Sequence, residues 1–407
     1  MNIGILTADS NGGFPIPATK GGAVPTLIES LIAENSKQDI AKLTVFSYYD
    51  EQAYESSKKY YNVRFIWIKI PKYIRKLDKT FYKIIKRNPN IKAISYKSVF
   101  SLLYYIRHVS KYLKEYHFDK LVLENNIPIS WIIKLSHYSG PFYYHLHNVP
   151  RMNAKCEDVL KKCTGYLCVS KYVAKKIESP DNAIGPIKSE KVRIFYNAID
   201  TDIFRPYTSQ VKEKIKRNIE KRYGINHKDK IILFTGRISR EKGLDLLLDA
   251  LAQTNYSNYK LLIVGSVMHG SNDNDEYVNL VRHKAEKISS HVIFTGYIAH
   301  DELPEYYNAA NLVVLPSMWE EPAGLTMIEA ISCGANVITT NSGGIPEYVS
   351  KYAVILDKEK NIVLEMAKAI VNNLNNIPVD RQQMHTYIKS NFSTHDYMER
   401  FVRQLEK

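Results

Sequence analysis

Cysteine is scarce in this 407-residue chain, and the four cysteines show no CxxC pair and no His or Cys partner at zinc spacing. Cys156, Cys163, Cys168 and Cys333 are therefore expected to be reduced thiols rather than metal ligands or disulfide partners. The chain also lacks any run of about 18 apolar residues, the length that a membrane-spanning helix needs. Its first residues contain no basic segment followed by a long apolar one, so we expect a cytosolic protein.

Acidic residues are nearly missing from residues 58–114, which contain 16 lysines and arginines against one acid, Asp78. The net charge of +14 arises mostly in the first half of the chain. Between Lys72 and Arg87, basic residues alternate with apolar ones at helical spacing, which predicts a basic amphipathic helix ended by Asn88-Pro89. The apolar positions are Ile74, Leu77, Phe81, Ile84 and Ile85.

This basic helix has two interpretations. It could hold the protein at the inner face of an anionic membrane or at an anionic polymer acceptor, or it could be a solvated face over the core. Non-specific nucleic-acid binding would suit the charge, but no recognised nucleic-acid module accompanies it, so we expect no nucleic-acid partner.

Short apolar strands alternate with helices along the whole chain, which predicts an α/β protein with parallel sheets. The first half contains seven strand candidates, at residues 3–6, 43–47, 63–68, 120–123, 142–146, 166–169 and 192–195. The second half contains five, at residues 230–235, 260–264, 291–294, 312–315 and 336–339. A turn and an extended linker after residue 195 place a domain boundary at 204–205.

We therefore predict two Rossmann-like, doubly wound domains, residues 1–204 and 205–393, that face each other across a cleft. Residues 394–407 are predicted to form a C-terminal helix that crosses back to the first domain. Ligands of open parallel sheets bind at the carboxyl ends of the strands, so the substrates should meet in the cleft.

Two carboxylates, Glu321 and Glu329, flank a glycine turn where a buried strand gives way to a helix. Glu321 is expected on the loop, and Glu329 in the first turns of the helix, with Gly324 leaving the backbone open near the positive end of the helix dipole. This arrangement suits a ligand that is anionic in one part and rich in hydroxyls in another, such as a sugar nucleotide.

Two cations, Arg237 and Lys242, lie on a predicted loop that follows a strand and opens a helix. Arginine offers a planar fork of donors and lysine a point charge, so together they could clamp a diphosphate. Standing alone, they would more readily be interpreted as two solvated surface cations.

The order of several motifs resembles the retaining family 4 glycosyltransferases of GT-B fold, strongly over residues 231–350 and weakly in the first domain. In the first domain the resemblance rests on Gly21-Gly22, His147-Asn148, Val169-Ser170 and Asn197-Ala198-Ile199-Asp200. In the second it rests on Gly236-Arg237, Lys242-Gly243, Gly296-Tyr297, Leu303, Tyr306-Tyr307, Pro316-Ser317, Glu321, Glu329-Ala330 and Gly343-Gly344-Ile345-Pro346-Glu347.

The resemblance implies a role for each matching position. Glu329 would bind the two ribose hydroxyls of the nucleotide, and Glu321 would contact hydroxyls of the donor sugar. Arg237 and Lys242 would hold the diphosphate and stabilise charge on the leaving nucleotide. The remaining positions would act through their backbones: Ala323, Gly324 and Leu325 at the sugar and phosphate, Gly265 and Ile298 at the base, and Gly21 and Gly22 at the phosphates.

A histidine near the reacting end of the donor sugar is also implied. His147 follows the strand at residues 142–146 and is assigned this role, although His145 lies on the same face and competes for it. Either histidine could instead simply cap the strand end by hydrogen bonding.

The implied reaction is transfer of a hexosyl or N-acetylhexosaminyl group, with retention, from a nucleotide sugar, most simply a UDP-sugar. The acceptor would be a hydroxyl of a cell-surface glycan, a teichoic-acid-like polymer or a lipid-linked acceptor in a bacterium. No cofactor or metal is expected, and Asp273-Asn274-Asp275, which looks like a metal-binding DxD motif, is interpreted as a solvated turn. A GT-B sugar phosphorylase or a nucleotide-sugar epimerase is the alternative.

Overall fold

The computed structural model describes residues 1–8, 13–87, 96–265, 272–375 and 380–407, with the backbone alone for residues 272–275. These residues form two compact units, Met1–Asn197 with Thr394–Lys407, and Ala198–Ser393. The boundary thus precedes the one expected from the sequence, because residues 198–204 make their contacts in the second unit. The Ile199 N–H donates to Phe392 O at 2.8 Å, and Ser332 Oγ donates to Phe204 O at 2.5 Å.

Among its described residues before 197, the first unit contains seven strands and seven α-helices. The strands are β1 (Asn2–Leu6), β2 (Lys42–Tyr48), β3 (Val63–Ile68), β4 (Lys120–Glu124), β5 (Phe142–Leu146), β6 (Gly165–Cys168) and β7 (Val192–Ile194). The helices are α1 (Ala23–Gln38), α2 (Glu51–Ser57), α3 (Lys72–Ile85), α4 (Val99–Glu115), α5 (Ser130–Ser136), α6 (Glu157–Lys162) and α7 (Lys171–Glu178). All seven strands join one parallel sheet in the order β3-β2-β1-β4-β5-β6-β7.

The part of the second unit that the structure describes repeats this alternation with six strands and eight α-helices. The strands are β8 (Lys230–Thr235), β9 (Tyr259–Val264), β10 (Val292–Gly296), β11 (Leu312–Leu315), β12 (Val337–Thr340) and β13 (Ala353–Leu356). The helices are α8 (Ser209–Tyr223), α9 (Leu244–Ala252), α10 (Asn272–Glu286), α11 (Leu303–Ala309), α12 (Leu325–Ser332), α13 (Ile345–Val349), α14 (Ile362–Asn375) and α15 (Arg381–Phe392). The strands form a parallel sheet in the order β10-β9-β8-β11-β12-β13.

The predicted α/β fold class, with two doubly wound parallel sheets, is therefore confirmed. Every strand expected from the sequence is present, because strands covered on both faces are uninterrupted apolar runs. β13 was missed. It is a four-residue strand at the sheet edge in which Val354 and Ile355 are exposed, so neither its length nor its burial marks it clearly.

The last helix, α16 (Tyr397–Glu406), packs within the first unit as the sequence predicted. Its buried face carries Tyr397, Phe401 and Leu405. The ring of Tyr397 stacks on Phe195 with centroids 4.9 Å apart, and Tyr143 Oη donates to Leu405 O at 2.9 Å. A buried phenol thus ties this helix to the middle of the sheet.

The basic segment forms helix α3, and its apolar residues divide between two faces. Ile74, Phe81 and Ile85 are half-buried, and the ring of Phe81 meets Phe100 of α4 edge-on at 5.5 Å. Leu77 and Ile84 instead face solvent, as does Tyr73. The periodicity predicted that all five apolar residues share one face of the helix. This prediction is wrong, because only part of that face packs against α4.

Four further expectations concern local features. All four cysteines are buried and none forms a disulfide. Asp273-Asn274-Asp275 lies in the first turn of α10 and not in a turn between elements, and Asn88-Pro89 lies outside the described residues. No helix in the described parts of the chain is long and apolar enough to span a bilayer.

Candidate active site

The carboxyl edge of the second sheet carries most of the predicted site residues. The loops that follow β8, β9, β10, β11 and β12 all emerge at this edge, because the strands are parallel. These loops contain Arg237 and Lys242, Gly265, Ile298, Glu321 to Gly324, and Gly343, and Leu325 begins α12.

Glu329 lies in α12 with only 5% of its surface exposed, and both of its carboxylate oxygens have partners. His300 Nε2 lies 2.8 Å from Oε1, and Tyr307 Oη donates to Oε2 at 3.3 Å. Tyr307 is itself held by Thr235, whose Oγ1 lies 3.0 Å from the phenol oxygen. The carboxylate is therefore fixed in position, and each oxygen retains acceptor capacity for one more donor.

The contact with Glu329 changes the proton affinity of its neighbours. The hydrogen bond to this carboxylate raises the pKa of His300 above its ordinary value of 6.5. Burial, reinforced by the charge of Glu329, raises the pKa of Tyr307 well above 10.0, which keeps the phenol a hydrogen-bond donor.

Lys242 and Glu321 form an ion pair that joins the loops after β8 and β11. Lys242 Nζ lies 2.5 Å from Glu321 Oε1, and Ser317 Oγ donates to the same oxygen at 2.9 Å. Among the described residues Oε2 of Glu321 accepts no hydrogen bond. The lysine thus has a carboxylate partner, and the carboxylate still has a free oxygen for a ligand hydroxyl.

Main-chain contacts hold the same two loops together. The N–H groups of Met318 and Trp319 both donate to Glu241 O, at 2.9 and 3.2 Å. Gly243 has φ of +65°, and a Cβ at this position would lie 2.2 Å from Pro316 O. Only glycine allows the loops to approach so closely.

The base of the Glu321 loop is held by buried hydroxyls and by the next loop. Thr340 Oγ1 and Ser342 Oγ donate to Ser317 O at 2.5 and 2.7 Å. The Gly344 N–H donates to Glu321 O at 2.7 Å. Glu321 therefore stands on a backbone that is anchored from both sides.

The first N–H groups of α12 lack intrahelical acceptors, as in any helix, and the N-cap residue Gly324 has no side chain to accept from them. Ala323, Gly324 and Leu325 lie together at this end, as predicted. Donors there, at the positive end of the helix dipole, suit an anionic group.

Three predicted residues stand apart from the Lys242–Glu321 pair. The Arg237 side chain is 55% exposed, and its Nη2 lies 3.6 Å from Glu241 Oε2. Gly265 donates to Gly296 O at 3.0 Å, and a Cβ on it would lie 1.9 Å from Gly236 O, so it fixes the spacing of two loops. The Ile298 side chain is buried, which leaves only its backbone available to a ligand.

The first unit holds Gly21, Gly22 and His147. Gly22 precedes α1, both glycines have positive φ, and a Cβ on Gly21 would meet no atom within 4 Å. His147 is 7% exposed, with its Nε2 3.0 Å from Glu124 Oε2, and its N–H donates to Asn125 Oδ1 at 3.0 Å. His145 Nδ1 lies 3.0 Å from the same carboxylate oxygen, so the two histidines share one buried acid.

The pKa values of Glu124 and His147 are both shifted from their ordinary values. Burial, together with His145, lowers the pKa of His147 to about 4, outweighing the attraction of Glu124. Burial of Glu124 opposes its ionisation, but the attraction of His145 and the hydrogen bonds from both histidines lower the pKa of this carboxyl to about 2.

The donor atoms of Glu124, His145 and His147 lie within 4.8 Å of one another, which is close enough to surround a metal ion. A metal-bound histidine normally donates its second ring N–H to an acceptor. Here His145 Nε2 and His147 Nδ1 are buried and have no hydrogen-bond partner among the described residues. The contacts therefore fit a hydrogen-bonded triad better than a metal centre.

Sequence reasoning missed His300, Tyr307 and Glu124 as partners of site residues. Tyr307 belongs to the Tyr306-Tyr307 motif, and Glu124 and His300 each follow or end a strand at the carboxyl edge. Their location at the carboxyl edge of a sheet was the only sequence signal that could have identified them. Loop geometry decides which side chains turn toward Glu329 or His147, and the sequence does not show it.

Comparison with known proteins agrees with this architecture. Residues 215–390 match the family model described as Glycosyl transferases group 1. The chain is 24% identical to spore coat protein SA of Bacillus subtilis over 364 residues, which is 86% of this chain and 84% of that protein. It is 31% identical over 183 residues to the lipopolysaccharide 1,2-N-acetylglucosaminetransferase of Salmonella typhimurium, a match that spans 39% of this chain and 48% of that relative.

The solved structures extend the likeness to the whole chain at the level of fold. The crystal structure of Anabaena Alr3699/HepE in complex with UDP and glucose superposes with a TM-score of 0.70 and 16% identity, covering 100% of both chains. Residues 215–390 thus belong to the group 1 glycosyltransferases, and the whole chain has the two-domain GT-B fold of such a transferase.

Proposed function

We propose that this glycosyltransferase takes its sugar from a nucleoside diphosphate sugar, most simply a UDP-sugar, bound by the second unit. The observation that carries the proposal is Glu329, buried and held by His300 and Tyr307 while each oxygen can accept one more hydrogen bond. A vicinal pair of ribose hydroxyls supplies two such donors. The HepE structure, whose name includes UDP, supports uracil as the base.

The remaining donor contacts follow from the neighbouring loops. Glu321 Oε2 would accept from hydroxyls of the sugar, while Lys242 and Arg237 would neutralise the diphosphate together with the N–H groups of α12. Two cations and a helix terminus meet the charge of a diphosphate, so we propose a reaction without a metal ion. Full activity in EDTA supports this, and activity restored only by a divalent cation refutes it.

We propose transfer of a hexosyl or N-acetylhexosaminyl group with retention at the anomeric carbon. Oε1 of Glu321 is occupied by Lys242 and Ser317, and Glu329 is buried behind its partners. Both carboxylates are thus better placed for binding than for the paired chemistry of hydrolases. The anomeric configuration of the product, measured by proton NMR, tests retention.

The acceptor is proposed to be a hydroxyl of a cell-surface glycan, a teichoic-acid-like polymer or a lipid-linked acceptor, bound by the first unit at the inner face of the membrane. Two features support a membrane location. Tyr73, Leu77 and Ile84 are exposed along α3, and lysines flank this apolar stripe. The Salmonella relative, by its name, acts on lipopolysaccharide.

A thermal-shift series with UDP, GDP, ADP and their hexose derivatives tests the donor assignment. A ligand at 100 times its Kd stabilises its unit by about 2.7 kcal/mol, and we expect this only with uridine nucleotides and not in Glu329→Gln. Glu213→Gln, at an acid on helix α8 to which we assign no donor contact, is the control. A shift that persists in Glu329→Gln contradicts the proposal.

A second assay separates transferase from the two alternatives. UDP release from the donor should depend on added acceptor in a transferase. Formation of a sugar 1-phosphate from a glycoside and phosphate, without UDP release, indicates a phosphorylase, and conversion to an epimeric nucleotide sugar indicates an epimerase.

A further inference from the structure

A pocket of about 260 Å³ lies at the carboxyl edge of the first unit's sheet. Its walls come from the loops after β1, β2 and β3, from one face of α3 and from the residues that precede α4. Its charged lining residues are Lys20, Asp50, Arg75, Asp78, Lys79 and Lys97. Ligands of parallel sheets bind at this edge, so the position itself favours a binding site.

The two acids of the pocket are already used by the fold. Asp78 is 5% exposed and accepts the N–H groups of Phe100 and Ser101 at 2.8 and 3.1 Å, which caps the start of α4. Asp50 accepts the Ala53 N–H at 3.2 Å as the N-cap of α2, and its other oxygen lies 2.5 Å from Lys20 Nζ. Neither carboxylate is available to pair with the remaining cations.

Those cations are Arg75, Lys79 and Lys97, and no described carboxylate lies within ion-pairing distance of them. The charged lining comprises four cations against two acids, a net charge of +2. Arginine presents a fork that matches phosphate oxygens, and lysines add mobile point charges. The rings of Tyr49 and Tyr82 complete the wall and offer apolar surface beside the charges.

We propose that this pocket binds a phosphate group of the acceptor, so that the enzyme glycosylates a phosphorylated carbohydrate or a lipid phosphate. Arg75 and Lys79 on α3 and Lys97 before α4 hold the phosphate, and the tyrosine rings contact the group attached to it. The role as an acceptor site rests on the proposed transferase function, whereas phosphate binding can be measured independently of it.

Calorimetric titration of the full chain with inorganic pyrophosphate at constant ionic strength tests the proposal. To keep the second unit from contributing, UDP is present at saturation. Arg75→Gln and Lys79→Gln should each weaken binding about tenfold, the effect of one charge-assisted contact. Lys76→Gln is the matched control, because Lys76 is also exposed on α3 but does not line the pocket, and it should change binding less than twofold.

Equal losses in Lys76→Gln and Lys79→Gln overturn the proposal, because they would show only a general effect of surface charge. Absence of pyrophosphate binding to the wild-type chain also overturns it. Circular dichroism and the UDP affinity of each variant establish that it is folded. Failure of the proposed function would give a different result: the wild-type chain would bind pyrophosphate but not UDP.

The source of the phosphate is distinguished by two further ligands. A short-chain phosphatidic acid below its micelle-forming concentration represents a lipid phosphate, and a hexose 1-phosphate represents a soluble sugar phosphate. Tighter binding of the first assigns a lipid headgroup, and tighter binding of the second assigns a phosphorylated sugar. Either preference must disappear in Arg75→Gln for the assignment to stand.

Discussion

Lys242 Nζ and Glu321 Oε1 lie 2.5 Å apart, so the cation assigned to the diphosphate and the carboxylate assigned to the sugar neutralise each other. A bound nucleotide must share Lys242 with Glu321. The pair thus couples recognition of the two halves of the donor, because a ligand that engages the lysine also changes the surroundings of the carboxylate.

The first prediction concerns this pair. Glu321→Gln keeps the shape of the side chain but removes its charge, which leaves Lys242 fully available to phosphate. We expect UDP to bind severalfold more tightly, while turnover of the UDP-sugar falls by about 10² or more, since the hydrogen bonds to the sugar weaken. Calorimetry with UDP and initial rates check the two effects, and Ser317→Ala, which leaves the charge in place, should not tighten UDP.

A second prediction concerns pH and His147. Its pKa is about 4 in the folded chain against an ordinary 6.5, so the unfolded chain binds more protons between these values. Stability should therefore fall as the pH is lowered from 6.5 to about 4, by up to about 3 kcal/mol from this group. The carboxyl of Glu124, whose pKa is lowered from 4.5 to about 2, adds a further loss of stability as the pH falls through that more acidic range.

His147→Gln should flatten this loss, because glutamine can donate to Glu124 but does not titrate. Denaturant midpoints across the window provide the measurement. His117→Gln, a change at a histidine outside the triad, should retain the wild-type slope. An unchanged slope in His147→Gln would show that the histidine is solvated enough to keep its ordinary pKa.

A third prediction tests the close approach of the Arg237–Gly243 loop to Pro316. Gly243 and Gly224 have nearly equal φ, +65° and +64°, but a Cβ on Gly224 would meet nothing within 4 Å. Gly224→Ala should lower the free energy of unfolding only by the cost of a left-handed backbone, about 1–2 kcal/mol. Gly243→Ala adds a 2.2 Å contact with Pro316 O and should be clearly less stable, with weaker UDP binding. Equal melting temperatures of the two variants would contradict the tight packing of these loops.

A fourth prediction concerns membrane binding by α3. Leu77→Ser and Ile84→Ser remove exposed apolar surface and should reduce sedimentation with anionic vesicles, because both the apolar stripe and the lysines contribute. Leu103→Ser, at an exposed leucine of α4, is the control. Binding that survives both α3 substitutions, or that needs no anionic lipid, argues against this surface.

Sequence periodicity predicted the sheets well, since runs such as Ile231 to Phe234 and Leu312–Leu315 are apolar throughout when both faces are covered. It also placed Lys242, Glu321 and Glu329 at one edge, because parallel strands all end there. The ion pair of Lys242 with Glu321 and the support of Glu329 by His300 could not be predicted. Both depend on how loops from different strands approach each other, and local patterns carry no information about that.

For a related reason, the sequence could not predict which apolar residues of α3 are packed and which are exposed. Helical spacing places Leu77 and Phe81 on overlapping arcs, and only the position of α4 decides which of them is covered. The hydrogen bonds by which Asp78 caps α4 fix that position. They link Asp78 to Phe100 and Ser101, which lie 22 and 23 positions further along the chain.

The attachment of α16 makes the first unit discontinuous in sequence, with the whole of Ala198–Ser393 interposed. A chain truncated at Asn197 would leave Phe195 and the Tyr143 hydroxyl without their cover, and it should aggregate. The interposed segment has the opposite property. Ile199 forms a β-bridge with Ser393, so the two ends of the interposed segment already meet. We therefore expect this segment to be the half of the enzyme that can be excised and studied alone.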